Sequence, residues 1–457
     1  MRPGAHPRRA KEIVTYLAVG FLALLISLLF VNGVPVKYFA GIVFILAAVF
    51  FFFYKPALFL VILFLLRASC DRFLQDVRIA GVGMGGILCM VIIAGTFAVF
   101  LVHRVNLTRL HKTSTLLLFS FCFASFLSLF LAAYPLDFKD VFFEVLRRFS
   151  SFSIFILVTA FIRTEKDAMS LLKAIALSAV PALILGVAVY GLREIDGRLL
   201  ATFGHPNILA FFLLVTIGCV ILLMDIPPDK PQKYSFRRIC YLGLMTGALL
   251  LTETRSAWLA LVFMILIYTM LFKRRLLIPV VLIGALLAST PIVSNRIMNL
   301  FSSKSSSFKV NKLSSLGYRL DKWNELMVKG VERPIFGNGI DFGNFYSRDT
   351  LDPHNDYVRF FVEQGIFGLF SFVATYVYIL MHALKNLRVY QPTGVMRKVT
   401  IFLICYIPAY LLMSVSENLI RYITIHWYVW AIIGVYFGLW MAQQEKPQTP
   451  EATEAEA

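Results

Sequence analysis

A short charged stretch interrupts one of the long apolar runs of this sequence. Thr252-Glu253-Thr254-Arg255-Ser256 lies between Leu251 and Ala257. Charged side chains embedded in apolar sequence are costly and are functional candidates by default. A guanidinium such as that of Arg255 stays charged and binds phosphate oxygens through two parallel hydrogen bonds. A tight turn whose arginine reaches a lipid phosphate is the alternative, but the Glu/Arg pair beside Trp258 is unusual for a bare turn.

A histidine stands in a second polar segment, Pro353-His354-Asn355-Asp356-Tyr357. A neutral imidazole can take a proton from a sugar hydroxyl, and a neighbouring carboxylate can orient the ring. A plain turn is the alternative, since Pro, Asn and Asp are good turn formers. A metal site using Asp349, Asp352, His354 and Asp356 is the third interpretation, but the spacing matches no recognised metal motif. We therefore expect neither a metal nor another cofactor.

Two further groups of polar residues could be functional or simply structural. Arg319 and Trp323 are four residues apart, so they share a face if residues 316–329 form a helix. On these residues alone, a solvated helix with Leu320, Trp323 and Leu326 docked on the core is favoured. Arg198 stands near the His205-Pro206-Asn207 segment, where Pro206 suits a first helical turn. Asn207 either contacts a ligand or is only a polar group at this end of the helix.

The composition shows what must position these residues. Of 457 residues, 59% are hydrophobic and 15% are charged, whereas soluble proteins average about 45–50% apolar and about 25% charged. Only helices or closed barrels satisfy their backbone groups in lipid, and the apolar runs are long and do not alternate. The sequence therefore predicts an all-α polytopic membrane protein with 12 to 14 transmembrane helices.

Four regions follow from the hydropathy pattern. We expect a transmembrane bundle over 1–293, a long and mostly helical loop over 294–364, further transmembrane helices over 365–442, and a disordered acidic tail over 443–457. Lys and Arg are more frequent in the loops that alternate with the long loop, which places both termini in the cytoplasm and the long loop outside. The net charge of +18 then reflects topology, and no nucleic-acid partner is expected.

Together the motifs resemble the O-antigen ligase and polymerase superfamily of bacterial membrane enzymes. The resemblance rests on Thr252–Trp258, Arg319-x-x-x-Trp323, Pro334–Gly339, and His354–Tyr357 followed by Glu363–Gly368. It implies a periplasmic loop, an inner-membrane location, and an undecaprenyl-diphosphate-linked glycan as donor. Within it, Arg255 and Arg319 match the arginines that hold the donor diphosphate, and His354 matches the essential histidine.

The resemblance implies metal-independent glycosyl transfer with inversion. In this scheme Arg198, Asn207, Asn355, Asp356 and Trp323 are the expected substrate-binding residues. A ligase acting on lipid A-core is the first expectation, and a polymerase with a second lipid-linked glycan as acceptor is the next. A transporter of lipid-linked sugars is the alternative from another class. It would more naturally place its charges inside a central cavity, whereas these cluster at the outer edge and in one loop.

Overall fold

The computed structural model describes most of the chain. It describes residues 49–79, 82–132, 134, 138–190, 194–195, 197–224, 236–290, 294, 315–346 and 353–445. The apolar run 13–31 predicts a first transmembrane helix, and it lies outside these residues. The start of the long loop and nearly all of the acidic tail also lie outside them.

Sixteen α-helices are bounded within the described ranges. They are α1 Pro56–Leu66, α2 Asp71–Asp76, α3 Met84–Val102, α4 Lys112–Phe130, α5 Phe138–Phe161, α6 Glu165–Leu177, α7 Ala179–Tyr190, α8 Pro206–Met224, α9 Phe236–Leu251, α10 Arg255–Phe272, α11 Leu277–Ala288, α12 Ser315–Glu332, α13 Phe342–Tyr346, α14 Asp356–Lys385, α15 Gly394–Met413 and α16 Ile423–Gln444. The strands within the same ranges form two antiparallel hairpins of two-residue strands, β1 Arg78–Ile79 with β2 Val82–Gly83, and β3 Glu194–Ile195 with β4 Arg198–Leu199.

Eight of the described helical stretches are long and apolar enough to cross a membrane. They are Met84–Val102, Lys112–Phe130, Glu165–Val189, Pro206–Met224, Arg255–Phe272, Asp356–Tyr390, Gly394–Met413 and Ile423–Gln444. The prediction of an all-α polytopic membrane protein is confirmed. The number of crossings stays a prediction, because two predicted helices lie wholly or largely before residue 49.

The last helix, α16, forms the centre of the bundle. It packs along α5, and its glycines allow the two backbones to approach closely. A Cβ added at Gly434 would lie 2.8 Å from Cβ of Val158, and one at Gly438 would lie 2.5 Å from the carbonyl oxygen of Ile162. Small residues four apart are a frequent device for helix contact in membranes. The bundle is therefore built outward from α16.

Helix α14 is two helices joined at a sharp break. Gly365 has φ 64° and ψ −162°, a backbone conformation that favours glycine. The ring of Phe360 lies 4.6 Å from that of Phe372, and the ring of Tyr357 lies 5.8 Å from the same ring. Residues twelve apart in a straight helix would be about 18 Å apart, so residues 356–364 fold back on the following part. We call residues 356–364 the half-helix.

A buried charged network fastens the half-helix to the bundle. Arg359 pairs with Glu363 at 3.1 Å and with Asp341 at 3.3 Å. Glu363 lies 3.8 Å from Arg148 of α5, and Asp341 also pairs with Arg421. Breaking a buried pair by removing one partner is strongly destabilising, because an uncompensated buried charge remains. The network therefore holds the half-helix against α5.

Replacing Gly365 tests the folded-back half-helix. A Cβ at this position would lie 2.3 Å from the carbonyl carbon and oxygen of Ile335. We expect Gly365→Ala to lower the free energy of unfolding by about 1–3 kcal/mol through backbone strain, with the steric clash in addition, measured as a lower Tm in detergent. The control is Gly247→Ala in α9, where no atom lies within 4 Å of the added Cβ. Equal Tm values for the two variants would contradict the arrangement.

Candidate active site

The N-terminus of the half-helix is fixed by two predicted site residues. The Asn355 side chain accepts hydrogen bonds from the backbone N–H groups of Tyr357 (2.9 Å) and Val358 (3.1 Å), as a helix N-cap does. Asp356 is 0% exposed, and its carboxylate accepts the N–H groups of Leu419 (3.2 Å) and Ile420 (3.4 Å). Both side chains thus bind the protein's own backbone.

His354, the residue before this cap, lies against a buried carboxylate. Its Nδ1 is 3.7 Å from Oε2 of Glu417, and it makes no hydrogen bond with any residue that the structure describes. The backbone of His354 has φ 49°, which is uncommon for residues other than glycine and is often found at functional sites. The structure therefore brings the predicted base to an acidic partner, Glu417, which is not among the residues predicted from the sequence.

Glu417 is the centre of the cluster. It is 4% exposed, and the Asn207 amide nitrogen donates to both of its carboxylate oxygens at 3.1 Å. The Ser256 hydroxyl also donates to it at 3.3 Å. A buried carboxylate with several donors is held in one orientation. Glu417 is therefore oriented toward His354 by residues of α8 and α10.

A polar run marks this carboxylate in the sequence. The run Ser414-Val-Ser-Glu-Asn418 begins at the end of the predicted transmembrane segment 399–415 and precedes the last one, 426–442. This run holds the start of the half-helix: the Asp356 N–H donates to the Ser414 carbonyl at 2.8 Å, and the Asn355 N–H donates to the Asn418 side chain at 3.1 Å. Glu417 could have been found from the sequence as an acidic residue in a short loop between two apolar helices.

Arg198 holds the turn that precedes Arg255. Its guanidinium donates to the Thr252 carbonyl at 2.8 Å, to the Asn207 side-chain oxygen at 2.7 Å and to the Thr254 hydroxyl at 3.1 Å. This turn contains Glu253 at φ 50°. Arg198 and Asn207 are thus brought together as predicted residues, and both are bound within the protein.

The two predicted diphosphate arginines border the cluster from different helices. Arg255 is the first residue of α10 and lies between Thr254 and Ser256, which both take part in the hydrogen bonds described above. Arg319 of α12 donates to the carbonyl of Ser416 at 2.9 Å, one residue before Glu417. The structure therefore brings Arg255, Arg319 and His354 to one region, although they are distant in sequence.

Trp323 fastens α12 beside the histidine. Its indole N–H donates to the carbonyl oxygen of Pro353 at 2.6 Å, the residue before His354. Arg319 and Trp323 are on one side of the helix, as their spacing predicts. The expected docking of Leu320 is not observed, since this side chain is exposed, whereas Leu326 is buried.

A second histidine lies at the start of α8. The Asn207 N–H donates to Nδ1 of His205 at 3.1 Å. Desolvation lowers the pKa of His205, and the Arg198 charge lowers it further. A neutral imidazole suits this acceptor role, and His205 therefore helps to place Asn207.

The metal interpretation cannot be built from the described part of the chain. Within it, no three His, Cys, Asp or Glu side chains are grouped as a metal ion would require. Asp349 and Asp352 lie outside the described residues.

Comparison with known families agrees with this geometry. A model of the O-antigen ligase family matches residues 240–373, a range that contains Arg255, Arg319 and His354. The predicted resemblance to the O-antigen ligase superfamily is confirmed. The O-antigen ligase match ends before Glu417 and begins after Asn207.

Two curated relatives match about a third of the chain. An uncharacterized protein of Haemophilus influenzae is 28% identical over 174 residues, which cover 33% of this chain and 43% of that relative. The ComP-specific O-oligosaccharyltransferase of Acinetobacter baylyi is 24% identical over 149 residues, 32% of this chain and 26% of the relative. The matches thus span less than half of each relative.

Removing Glu417 tests whether it is the centre of the cluster. In Glu417→Ala the Asn207 amide and the Ser256 hydroxyl lose their acceptor, and buried unsatisfied groups cost about 1–3 kcal/mol. We expect a lower Tm by thermal denaturation. Asp321→Ala is the control, because it removes the carboxylate of an exposed residue on α12. A Tm for Glu417→Ala no lower than that of the control would contradict the assignment.

Proposed function

We propose that this protein transfers a glycan from undecaprenyl diphosphate to a hydroxyl acceptor at the periplasmic face of the bacterial inner membrane. The observation that carries the proposal is the approach of His354 to the buried Glu417 carboxylate, 3.7 Å from Nδ1 to Oε2. Arg255 and Arg319 border this pair from separate helices. The O-antigen ligase match over 240–373 supports the same chemistry.

His354 acts as the general base of the proposed reaction. With Nδ1 facing Glu417, the neutral ring carries its proton on Nδ1, and Nε2 accepts the proton of the acceptor hydroxyl. The distance of 3.7 Å exceeds a hydrogen bond, but such contacts often tighten only when substrate is bound. Glu417 then stabilises the imidazolium that forms, and the ring later releases the proton to water.

Arg255 and Arg319 bind the donor diphosphate. The acceptor oxygen forms a bond to the anomeric carbon while the bond from that carbon to the diphosphate oxygen breaks, with inversion of configuration. Undecaprenyl diphosphate leaves with the electron pair of the broken bond. Two guanidinium groups stabilise the negative charge that develops on this leaving group, so the proposed step needs no metal.

The other predicted residues act mainly by positioning. Arg198 and Asn207 orient Glu417 through the hydrogen bonds described above. Asn355 and Asp356 fix the backbone that carries His354. We therefore propose that these four side chains support the catalytic residues, in place of the direct substrate binding expected from the sequence.

Lipid A-core is the acceptor that we propose first, which makes the protein an O-antigen ligase. We also propose that both termini lie in the cytoplasm, as the distribution of Lys and Arg predicts. Polymerisation onto a second lipid-linked glycan uses the same donor chemistry and is the second candidate. The relative from Acinetobacter baylyi is named as an oligosaccharyltransferase specific for ComP, so a hydroxyl of a protein is a third kind of acceptor. A transporter would not need the His354–Glu417 pair.

Variants of the three central residues test the proposed mechanism. His354→Ala removes the general base and is expected to slow transfer by roughly 10²–10⁴-fold. Arg255→Ala and Arg319→Ala each remove transition-state stabilisation, an effect of about 10²–10³-fold for comparable donors. Product formation from lipid-linked glycan is measured with purified, folded protein. Arg333→Ala is the control, because it removes an exposed guanidinium of the same loop. Near-normal rates in the three variants would refute the assignments.

Reconstitution with defined acceptors distinguishes the candidate functions. Purified protein in vesicles receives lipid-linked glycan with or without lipid A-core. We expect product only when lipid A-core is present. Longer lipid-linked glycan without it would show a polymerase, and glycosylation of added ComP alone would show a protein-directed enzyme. Movement of glycan between leaflets without any product would refute the transferase proposal.

A further inference from the structure

The exposed side of α12 is divided into two stripes. Leu320, Met327, Val328 and Val331 are between 37% and 65% exposed. At 100° per residue they occupy an arc of about 100°, in which Asn324 is also exposed. We call these four residues the apolar stripe.

Acidic residues form the other stripe of the exposed side. Asp321, Glu325 and Glu332 are all exposed, and they lie on the arc next to the apolar stripe. The opposite side of α12 is buried, with Leu326 at 1% and Lys322 at 6%. A helix surrounded by water on its whole exposed side would carry polar residues across it. The apolar stripe therefore faces something other than water.

The segment after α12 connects the apolar stripe to the lipid-facing surface of the bundle. Ile335 and Phe336 are exposed, and the Ile366 and Phe367 N–H groups of α14 donate to the carbonyls of Pro334 (2.8 Å) and Ile335 (3.3 Å). This places the segment beside the start of a membrane-spanning stretch.

Exposed apolar side chains continue along that membrane-spanning helix. Ile366 and Phe370 of α14 are 53% and 67% exposed and follow directly after the contact. The segment after α12 also contacts the end of a second membrane-spanning helix, because Arg333 donates to the carbonyl of Leu131, the residue after α4, at 3.4 Å. Ile335 and Phe336 thus link the apolar stripe to the exposed apolar residues of α14.

We propose that α12 lies in the interface of the bilayer, with its apolar stripe among the acyl chains and its acidic stripe toward water. The occupant of this surface is bilayer lipid. An amphipathic helix at the boundary between headgroups and acyl chains buries its apolar side in this way. The stripe extends over about 16 Å from Leu320 to Val331, which is a substantial contact. The proposal does not depend on the proposed reaction.

This docking has a consequence for the candidate active site. Arg319 immediately precedes Leu320, so docking of the stripe holds the guanidinium at the depth of lipid headgroups. There it meets an anionic lipid diphosphate without leaving the membrane surface. This consequence alone rests on the proposed function.

Labelling along α12 tests the docking. The two exposed cysteines among the six, Cys70 and Cys240, are first changed to serine. Val328→Cys and Val331→Cys are then labelled one at a time with the environment-sensitive dye NBD, and the protein is reconstituted in vesicles of phosphatidylethanolamine and phosphatidylglycerol. Glu325→Cys is the matched control on the acidic stripe. No donor or acceptor is added.

We expect NBD emission at Val328→Cys and Val331→Cys to shift to shorter wavelength and to be lost when lipids with a spin label near the headgroup are included. At Glu325→Cys we expect emission typical of water and no loss. Equal emission and quenching at the three positions would overturn the proposal. Shifted emission without quenching by the labelled lipids would also overturn it, since a protein surface would then cover the stripe.

The transfer assay separates this proposal from the proposed function. If the labels show docking but His354→Ala retains full activity, the docking stands and the catalytic assignment fails. If His354→Ala is inactive but the labels remain in water, the reverse holds.

Discussion

The carboxylate of Asp356 joins the parts of the molecule on which the candidate active site depends. It is fully buried and accepts the backbone N–H groups of Leu419 and Ile420. Burying a carboxyl group is costly unless hydrogen bonds replace those with water, and the two backbone N–H groups supply such bonds here. This contact fixes the start of the half-helix on the loop between α15 and α16. That loop carries Glu417 before the contact and Arg421 after it.

The loop between α15 and α16 therefore places its two charged residues in different electrostatic environments. On one side, Glu417 accepts three hydrogen bonds from neutral groups and faces His354. On the other side, Arg421 pairs with Asp341, which also pairs with Arg359. Charges in the network are compensated by one another, because pairing is what makes buried charge tolerable. Glu417 has neutral donors as its hydrogen-bond partners, and this leaves its negative charge available to the imidazole.

Hydropathy alone was enough to predict the fold class. Each transmembrane helix needs about 20 apolar residues and satisfies its own backbone, so the signal is local. The break at Gly365 is different, since a glycine in an apolar run predicts no particular φ. Glycine is needed at this position because φ is 64° and because the Ile335 backbone lies 2.3 Å from the position of a Cβ. That contact joins residues thirty apart in sequence, so no local pattern contains it.

The sequence indicated the chemical groups of the site better than their roles. Arg255 and His354 stood out because their side-chain types suit phosphate binding and proton transfer. Arg319 was chosen as a site residue only through the family resemblance, and the structure brings all three to one region. Glu417 was missed because its partner Asn207 is 210 residues away. Asp356 was expected to bind substrate, yet its hydrogen bonds go to the protein's own backbone.

Leu320 illustrates a limit of helical periodicity. Its spacing from Trp323 and Leu326 is compatible with one apolar face, and that face was expected to dock on the protein. In the structure Leu326 is buried and Leu320 is exposed, because α12 has a second apolar side, and periodicity cannot tell a protein neighbour from a lipid one. Arg319 lies between these two sides and donates to Ser416. A shift of α12 along the membrane surface would therefore move Arg319 relative to His354, whereas Arg255 on α10 would stay in place.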